Sequence, residues 1–249
     1  MGITIKSEAE LRLMKEAGQV VSEVKAVVAA AIGPGVTTGN LDAIAEDAIR
    51  AAGATPSFKG YLGFPASICT SINEEIVHGI PGSRVLTEGD VLSVDVGAVV
   101  GGLHADSAFT IGVGEITREA ADLIDATRES LLRGIEKVKV GARVGDISAA
   151  IQAYAESKGY ALVRKYVGHG IGYAMHEDPS VPNFGEAGRG PLLREGMAIA
   201  IEPMLNLGTY KTDVLEDEWT VVTADGRLSA HFEDTVLITE QGPVVTTAP

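Results

Sequence analysis

Between Ser7 and Ile32 the apolar residues Met14, Ala17, Val21, Val24 and Val28 recur every third or fourth position, the spacing that stacks side chains on one face of an α-helix. Ser7-Glu8-Ala9-Glu10 just ahead of them has the form of a capping box and marks the start of that helix. Gly33-Pro34-Gly35 breaks it, and Leu41, Ile44, Ala45, Ala48, Ile49 and Ala52 repeat the period in a second helix that Gly53 ends. The same pattern predicts a third helix over about Thr117–Val140 and a fourth over about Asp146–Ser157.

Elsewhere the apolar residues run together in β-branched stretches bounded by Gly and Asp-Gly, the punctuation of strands. Val91–Val100 and Leu103–Gly112 flank Gly101-Gly102, while Trp219–Thr223 and Leu228–Thr239 flank Asp225-Gly226, so two hairpins are expected. Runs of helices and runs of antiparallel strands predict an α+β fold, and no Pro/Ser-rich linker divides the 249 residues, so one domain over 1–249 is expected. Gly35–Gly53 resembles Gly141–Gly159, and Glu88–Asp95 resembles Glu195–Glu202, at an offset of about 106 residues. The identities are few, so either chance likeness of helix and strand or an internal duplication accounts for them. A duplication would put Asp95 and Glu202 at equivalent points of two halves.

With 34 acidic and 20 basic residues the formal charge is -14, which argues against a broad phosphate-binding surface and so against DNA as a partner. The 45% hydrophobic and 22% charged composition is that of a folded globular chain rather than a disordered one. A single cysteine, Cys69, excludes an internal disulfide, a zinc ribbon and a CxxC redox site. The first ten residues lack an apolar leader and no apolar run of about 18 residues occurs, so a cytoplasmic protein without a membrane partner is expected.

Against this background a few charged residues are misplaced. Asp95 interrupts the apolar run Val91–Val96, where an unpaired carboxylate costs several kcal/mol or takes up a proton. A two-residue turn at Gly101-Gly102 sets Asp106 opposite Gly97, making Asp95 and Asp106 diagonal neighbours on one face with Cβ atoms roughly 7 Å or less apart. Either that face is solvated or a cation lies between the two acids. Glu202 is the sole charge in Met197–Pro203, and strand alternation puts His231, Glu233 and Thr235 on one face with Asp234 on the other. His169 and His176 lie in the glycine-rich segment 168–176, and each of the five histidines falls near one of these acids or among glycines. Three or four carboxylates with one imidazole form a hard ligand set, suited to Mn, Fe, Co or Zn as a pair of ions that activates water for hydrolysis.

Asp95 with Asp106 eleven residues on, Gly168-His169-Gly170-Ile171-Gly172, Ile201-Glu202-Pro203-Met204 and Glu233, in that order, resemble the type I methionine aminopeptidases over nearly the whole chain. The resemblance implies the pita-bread fold of the M24-type metallopeptidases, an internally duplicated α+β domain with two divalent ions, Co, Mn, Fe or Zn, at the join. It implies that Asp95 holds one ion, His169 and Glu202 the other, and that Asp106 and Glu233 bridge them. Catalytic roles then fall to Glu202 in moving the proton, His176 in stabilising the oxyanion and His78 in bonding the scissile amide. The methionine pocket maps to Phe58, Tyr61, Phe64, Cys69, Met175 and Trp219, with two departures: Met175 where an aromatic residue is common, and Gly97 where Thr is common. The implied reaction removes the first methionine of nascent polypeptides with a small second residue, by a monomeric enzyme in transient contact with the ribosome. The spacing of about 33 residues from His169 to Glu202 leaves no room for the insertion of the type II enzymes, and no extra N-terminal binding domain is expected ahead of the first helix. The alternatives are another pita-bread hydrolase, of the prolidase, Xaa-Pro aminopeptidase or creatinase kind, and a non-catalytic binding paralogue.

Overall fold

A computed structural model describes residues 2–248; Met1 and Pro249, the two ends of the expected domain, lie outside the described residues. Among the described residues four α-helices, α1 (Glu8–Ala31), α2 (Thr38–Ala51), α3 (Arg118–Ile135) and α4 (Val144–Ser157), accompany fifteen strands. In the first half these are β1 (Thr55–Pro56), β2 (Ile68–Ile72), β3 (Glu75–Val77), β4 (Val91–Val100) and β5 (Leu103–Gly112). After α4 come β6 (Ala161–Leu162), β7 (Gly168–Gly170), β8 (Glu177–Val181), β9 (Ala198–Ile201), β10 (Met204–Asn206), β11 (Thr212–Val214), β12 (Val221–Thr223), β13 (Ser229–His231), β14 (Glu233–Thr239) and β15 (Gly242–Val245). No helix among the described residues is long and apolar enough to cross a membrane.

The expected capping box opens α1: the Ser7 hydroxyl accepts from the Glu10 N–H and the Glu10 carboxylate accepts from the Ser7 N–H. Its predicted stripe, Met14 to Val28, is fully buried. The third helix is shorter than its apolar period suggests. Gly134 lies so close to α4 that a Cβ there would come within 2.9 Å of Ile151, and beyond Ile135 the N–H groups of Lys137 and Val138 turn to carbonyls three residues back. Val138 is buried in that tightened turn rather than in a continuing helix.

Nine strands form one antiparallel sheet in the order β1-β4-β5-β14-β9-β7-β8, with β2 also on β4 and β15 on β14. The β4–β5 hairpin has the predicted register, Gly97 opposite Asp106 and Val100 opposite Leu103. The second expected hairpin does not form. β12 pairs with β11 and β3, whereas β13 pairs with β10 in a different sheet, and Asp225-Gly226 merely joins them. Both flanks found non-local partners, and the Asp225 carboxylate holds the turn by accepting from the N–H groups of Thr209 and Arg227. The expected strand 228–239 is also interrupted at Phe232, whose N–H donates to the Pro203 carbonyl.

The internal duplication is written in matching backbone hydrogen bonds. Gly35 N–H donates to Leu86 and Gly141 N–H to Leu193; Thr38 to Arg84 and Val144 to Pro191; Gly39 to Gly82 and Gly145 to Arg189. Each helix of the pair α2 and α4 is therefore docked at its N-terminus by the same three contacts. One apolar core lies between α1, α2 and the first-half strands, the other between α3, α4 and the second-half strands. The halves meet where β14 pairs with β5 on one side and β9 on the other.

Candidate metal centre

Five adjacent strands of the sheet deliver the five residues that the sequence singled out. Asp95 is on β4, Asp106 on β5, Glu233 opens β14, Glu202 follows β9 and His169 is the middle residue of β7. The ligating atoms of Asp106, His169 and Glu233 lie within 4.8 Å of one another. His169 Nε2 is 3.8 Å from Asp106 Oδ2 and 3.7 Å from Glu202 Oε1. Its Nδ1–H donates to the Gly170 carbonyl at 2.9 Å, which leaves the Nε2 lone pair facing those carboxylates. A Cβ on Gly168 or Gly170 would strike the carbonyl of Ala200 or Asp178, so glycines on both sides of His169 let β7 slot between β8 and β9.

The electrostatics are those of a site built for cations. Burial, and then the charge of Asp106, hold Asp95, Glu202 and Glu233 well above the usual carboxylate range; burial raises Asp106 to about 6. Among the described residues no Lys or Arg lies within 4.0 Å of these four carboxylates. The buried oxygens Asp95 Oδ1 and Glu233 Oε1 have no hydrogen-bond partner at all. Orphaned carboxyl oxygens converging with a neutral imidazole fit divalent metal ions and little else.

One cavity of about 200 Å³ joins this centre to the apolar residues. Asp95, Asp106, Glu202 and Glu233 line it together with His78, His176 and all six expected pocket residues, Phe58, Tyr61, Phe64, Cys69, Met175 and Trp219. Phe58, Phe64, Cys69 and Met175 are buried in one cluster, and Phe64 meets Trp219 edge-on with ring centroids 5.0 Å apart. Burial pushes the Cys69 thiol up, so it is a neutral, polarisable wall. The unusual Gly97 has a local cause: a Cβ there would lie 2.6 Å from Phe58 and 2.8 Å from Ser57, so the Phe58 ring occupies the room a side chain would need.

His78 and His176 are neutral at ordinary pH, each lowered to about 4 chiefly by burial. The Tyr61 hydroxyl is 2.9 Å from His176 Nδ1; when it donates, the ring proton sits on Nε2. His104 is bonded to the Ser57 hydroxyl and lies outside the cavity lining, near enough to His176 to act on its charge. Leu62, which no sequence signal marks, lines the cavity 79% exposed, in a left-handed conformation (φ 49°) between Gly60 and Gly63. Thr235 is expected on the Glu233 face from strand alternation, but its bond to Asp106 depends on how β14 lies against β5, which alternation does not show.

The methionine aminopeptidase of Clostridium acetobutylicum is 55% identical over 246 residues, covering 98% of this chain and 98% of its own length. The crystal structure of methionine aminopeptidase from Thermotoga maritima superposes with a TM-score of 0.98 at 44% identity over 100% of both chains. The Xaa-Pro dipeptidase of Bacillus anthracis shares the fold at a TM-score of 0.78 and 25% identity, but this chain covers only 62% of it. The duplicated α+β halves thus form the pita-bread fold expected above. The sequence pattern of metallopeptidase family M24 matches residues 12–240, a span that contains all four convergent acids and the imidazole of His169, and the chain belongs to that family.

Proposed function

We propose that the chain is a metal-dependent aminopeptidase that removes the N-terminal methionine from nascent proteins and peptides, favouring a small second residue. The observation that carries this reading is the single cavity with a charged end and a sulfur-compatible apolar end, since a methionine side chain in the second directs its own amine and first peptide bond to the first. The near-complete coverage of the Clostridium enzyme and the partial coverage of the Xaa-Pro dipeptidase favour it over a proline-directed hydrolase. Carboxylates at all four expected acid positions, converging on one cavity, weigh against a non-catalytic paralogue.

In this reading Asp95 would serve one divalent ion, His169 and Glu202 a second, and Asp106 and Glu233 both, with Co, Mn, Fe or Zn as the candidates. Bound there, the ions would supply Lewis acidity and a water acidic enough to serve as nucleophile near neutral pH. The residues of the chain do the rest. Phe58, Phe64, Cys69, Met175 and Trp219 bury the methionine side chain and exclude water from it. His176, its Nε2–H set by Tyr61, donates to the oxygen that becomes negative, and it does so as a neutral donor with no desolvation cost of a full charge. His78 bonds the scissile amide from the other side, held between Tyr166 and Trp219. Glu202, whose carboxyl lines the cavity, carries the proton to the leaving amine.

The chain acts as one catalytic domain over 1–249, a cytoplasmic monomer that meets its substrates as they leave the ribosome, with neither DNA nor membrane as partner. Incubation of metal-loaded and chelated protein with Met-Gly-Met-Met and with Xaa-Pro peptides tests the activity. Methionine release that needs metal supports it; cleavage confined to Xaa-Pro bonds overturns it. Glu202→Gln should keep the fold and lose turnover.

A further inference from the structure

We propose that His231 is a positioning residue for the metal centre, holding the outer oxygen of Glu202 and spacing it from Glu233. It belongs to none of the five ligand positions, yet its imidazole is 2% exposed and its Nε2 has no hydrogen-bond partner. That nitrogen points between two carboxylates, 3.8 Å from Glu202 Oε2 and 4.0 Å from Glu233 Oε2. On the opposite side His169 Nε2 is 3.7 Å from Glu202 Oε1. Each oxygen of Glu202 thus faces its own imidazole, and among the described residues no hydrogen bond holds that carboxylate in the absence of metal.

The chain has gone to some length to place this ring. Met204 is paired with His231 in the β10–β13 ladder, two residues from Glu202. The interruption at Phe232 then turns the chain so that His231 and Glu233 both reach the centre from consecutive strands. The backbone is pinned by one hydroxyl: His231 N–H donates to Thr110 Oγ1 at 2.9 Å, and Thr110 Oγ1 donates to the His231 carbonyl at 2.7 Å. Ser93 Oγ bonds Thr110 Oγ1 in turn. A rigidly mounted ring whose Nε2 is unpartnered and lies between two carboxylates is arranged to donate to them when they close on a cation; a hydrogen bond from Nε2–H to Glu202 Oε2 then fixes the last torsion of that side chain.

This inference rests on the metal-centre reading, so His169→Ala serves as the control that tests the reading itself. Mn(II) and Co(II) affinities are measured by calorimetry on chelator-treated protein, alongside Tm and the kcat and KM for Met-Gly-Met-Met. His231→Met, of similar size without a donor, should lower affinity for the ion and kcat by roughly ten- to hundredfold, the cost typical of losing an outer partner of a ligand. KM and Tm should hold. His231→Gln, whose amide reaches the same place, should recover most of both losses, a rescue that a purely packing role does not predict. If His231→Met does not fold, His231→Asn, which keeps an amide but shortens its reach, takes its place with the same expected losses. Affinity within twofold of wild type in His231→Met or His231→Asn, or a His231→Gln variant as impaired as His231→Met, overturns the proposal. If His169→Ala also retains full metal affinity, the centre itself has been misread.

Discussion

Thr235 grips Asp106 through a single hydroxyl: it accepts from the Asp106 N–H at 3.1 Å, donates to the Asp106 carbonyl at 2.8 Å and lies 3.4 Å from Oδ1. The contact stitches the two halves together at the point where a bridging acid must be held still. Thr235 is fully buried, so Thr235→Val strands a donor and an acceptor with no water to replace the hydroxyl. The expected cost is about 1–3 kcal/mol, or roughly 2–4 °C in Tm per kcal/mol for a chain of this size. Calorimetric melting of the chelated protein measures it, and a Tm within about 1 °C of wild type would show the hydroxyl to be dispensable.

What the sequence made legible was whatever depends on near neighbours. The Gly101-Gly102 turn sets the register of β4 and β5 locally, and with it the pairing of Asp95 and Asp106. Acids alone in apolar runs announce themselves because burial is costly, which is why Asp95 and Glu202 stand out, whereas Glu233, with Asp234 beside it, is picked out by strand alternation. The roles of Thr235 and His231 are not legible in this way, because they arise only when β14 meets β5 and β13 meets β10, pairings of residues far apart in the chain. The failed hairpin at Asp225-Gly226 has the same cause: its local signal is genuine, but β3 and β10 offered better partners. The overlong third helix is a subtler case, since Val138 keeps the helical period while being buried by a turn.

Removing metal should make stability fall as pH rises. A carboxyl whose folded pKa is raised binds more protons in the native state than in the unfolded one, so ionising it costs the native state free energy. For Asp106 this cost builds between its ordinary 3.8 and about 6, and for Asp95, Glu202 and Glu233, raised well above their ordinary values, it continues to higher pH. The buried histidines act in the opposite sense: lowered from 6.5 to about 4 in His78 and His176, they cost stability only as pH falls below the unfolded value. Above about pH 7.5, a unit past their ordinary value, the histidines are neutral in both states and the acids of the centre dominate. The Tm of chelated protein should therefore decline from about pH 7.5 to 8.5 while the metal-loaded Tm does not, and proton release on adding metal should be measurable by pH-stat. Parallel Tm curves would mean that the acids are not held protonated.

Lys6 and Glu177 form an ion pair at 2.9 Å with only 3% and 5% of their side chains exposed. Glu177 also accepts from the Ala174 N–H and the Thr4 hydroxyl, and it directly follows His176, so the pair anchors the loop carrying Met175 and His176. Gly172 makes room for it, since a Cβ there would meet both side chains at 2.6 Å. Lys6→Met leaves a buried carboxylate without its cation and should cost about 3–5 kcal/mol. Urea unfolding reads the loss directly. Adding Glu177→Gln should return part of it, because the unpaired charge is then gone; a double variant no better than Lys6→Met would place the destabilisation elsewhere.

Gly97 and Phe58 should behave as one unit. The missing side chain at Gly97 is filled by the Phe58 ring, and that ring also lines the cavity, so Gly97→Ala cannot be accommodated without pushing Phe58 toward the bound methionine. Overpacking of this kind costs about 1–3 kcal/mol; where a share of about 1.4 kcal/mol falls on binding, KM rises about tenfold. Phe58→Ala alone should widen the pocket and admit longer first residues than methionine. The double variant Gly97→Ala/Phe58→Ala relieves the clash, so its KM should fall below that of Gly97→Ala, a coupling expected only of residues in direct contact. Steady-state kinetics on Met-Gly-Met-Met across the four proteins decide it. Strictly additive effects would mean that Gly97 acts through Ser57 or the strand rather than through the pocket wall.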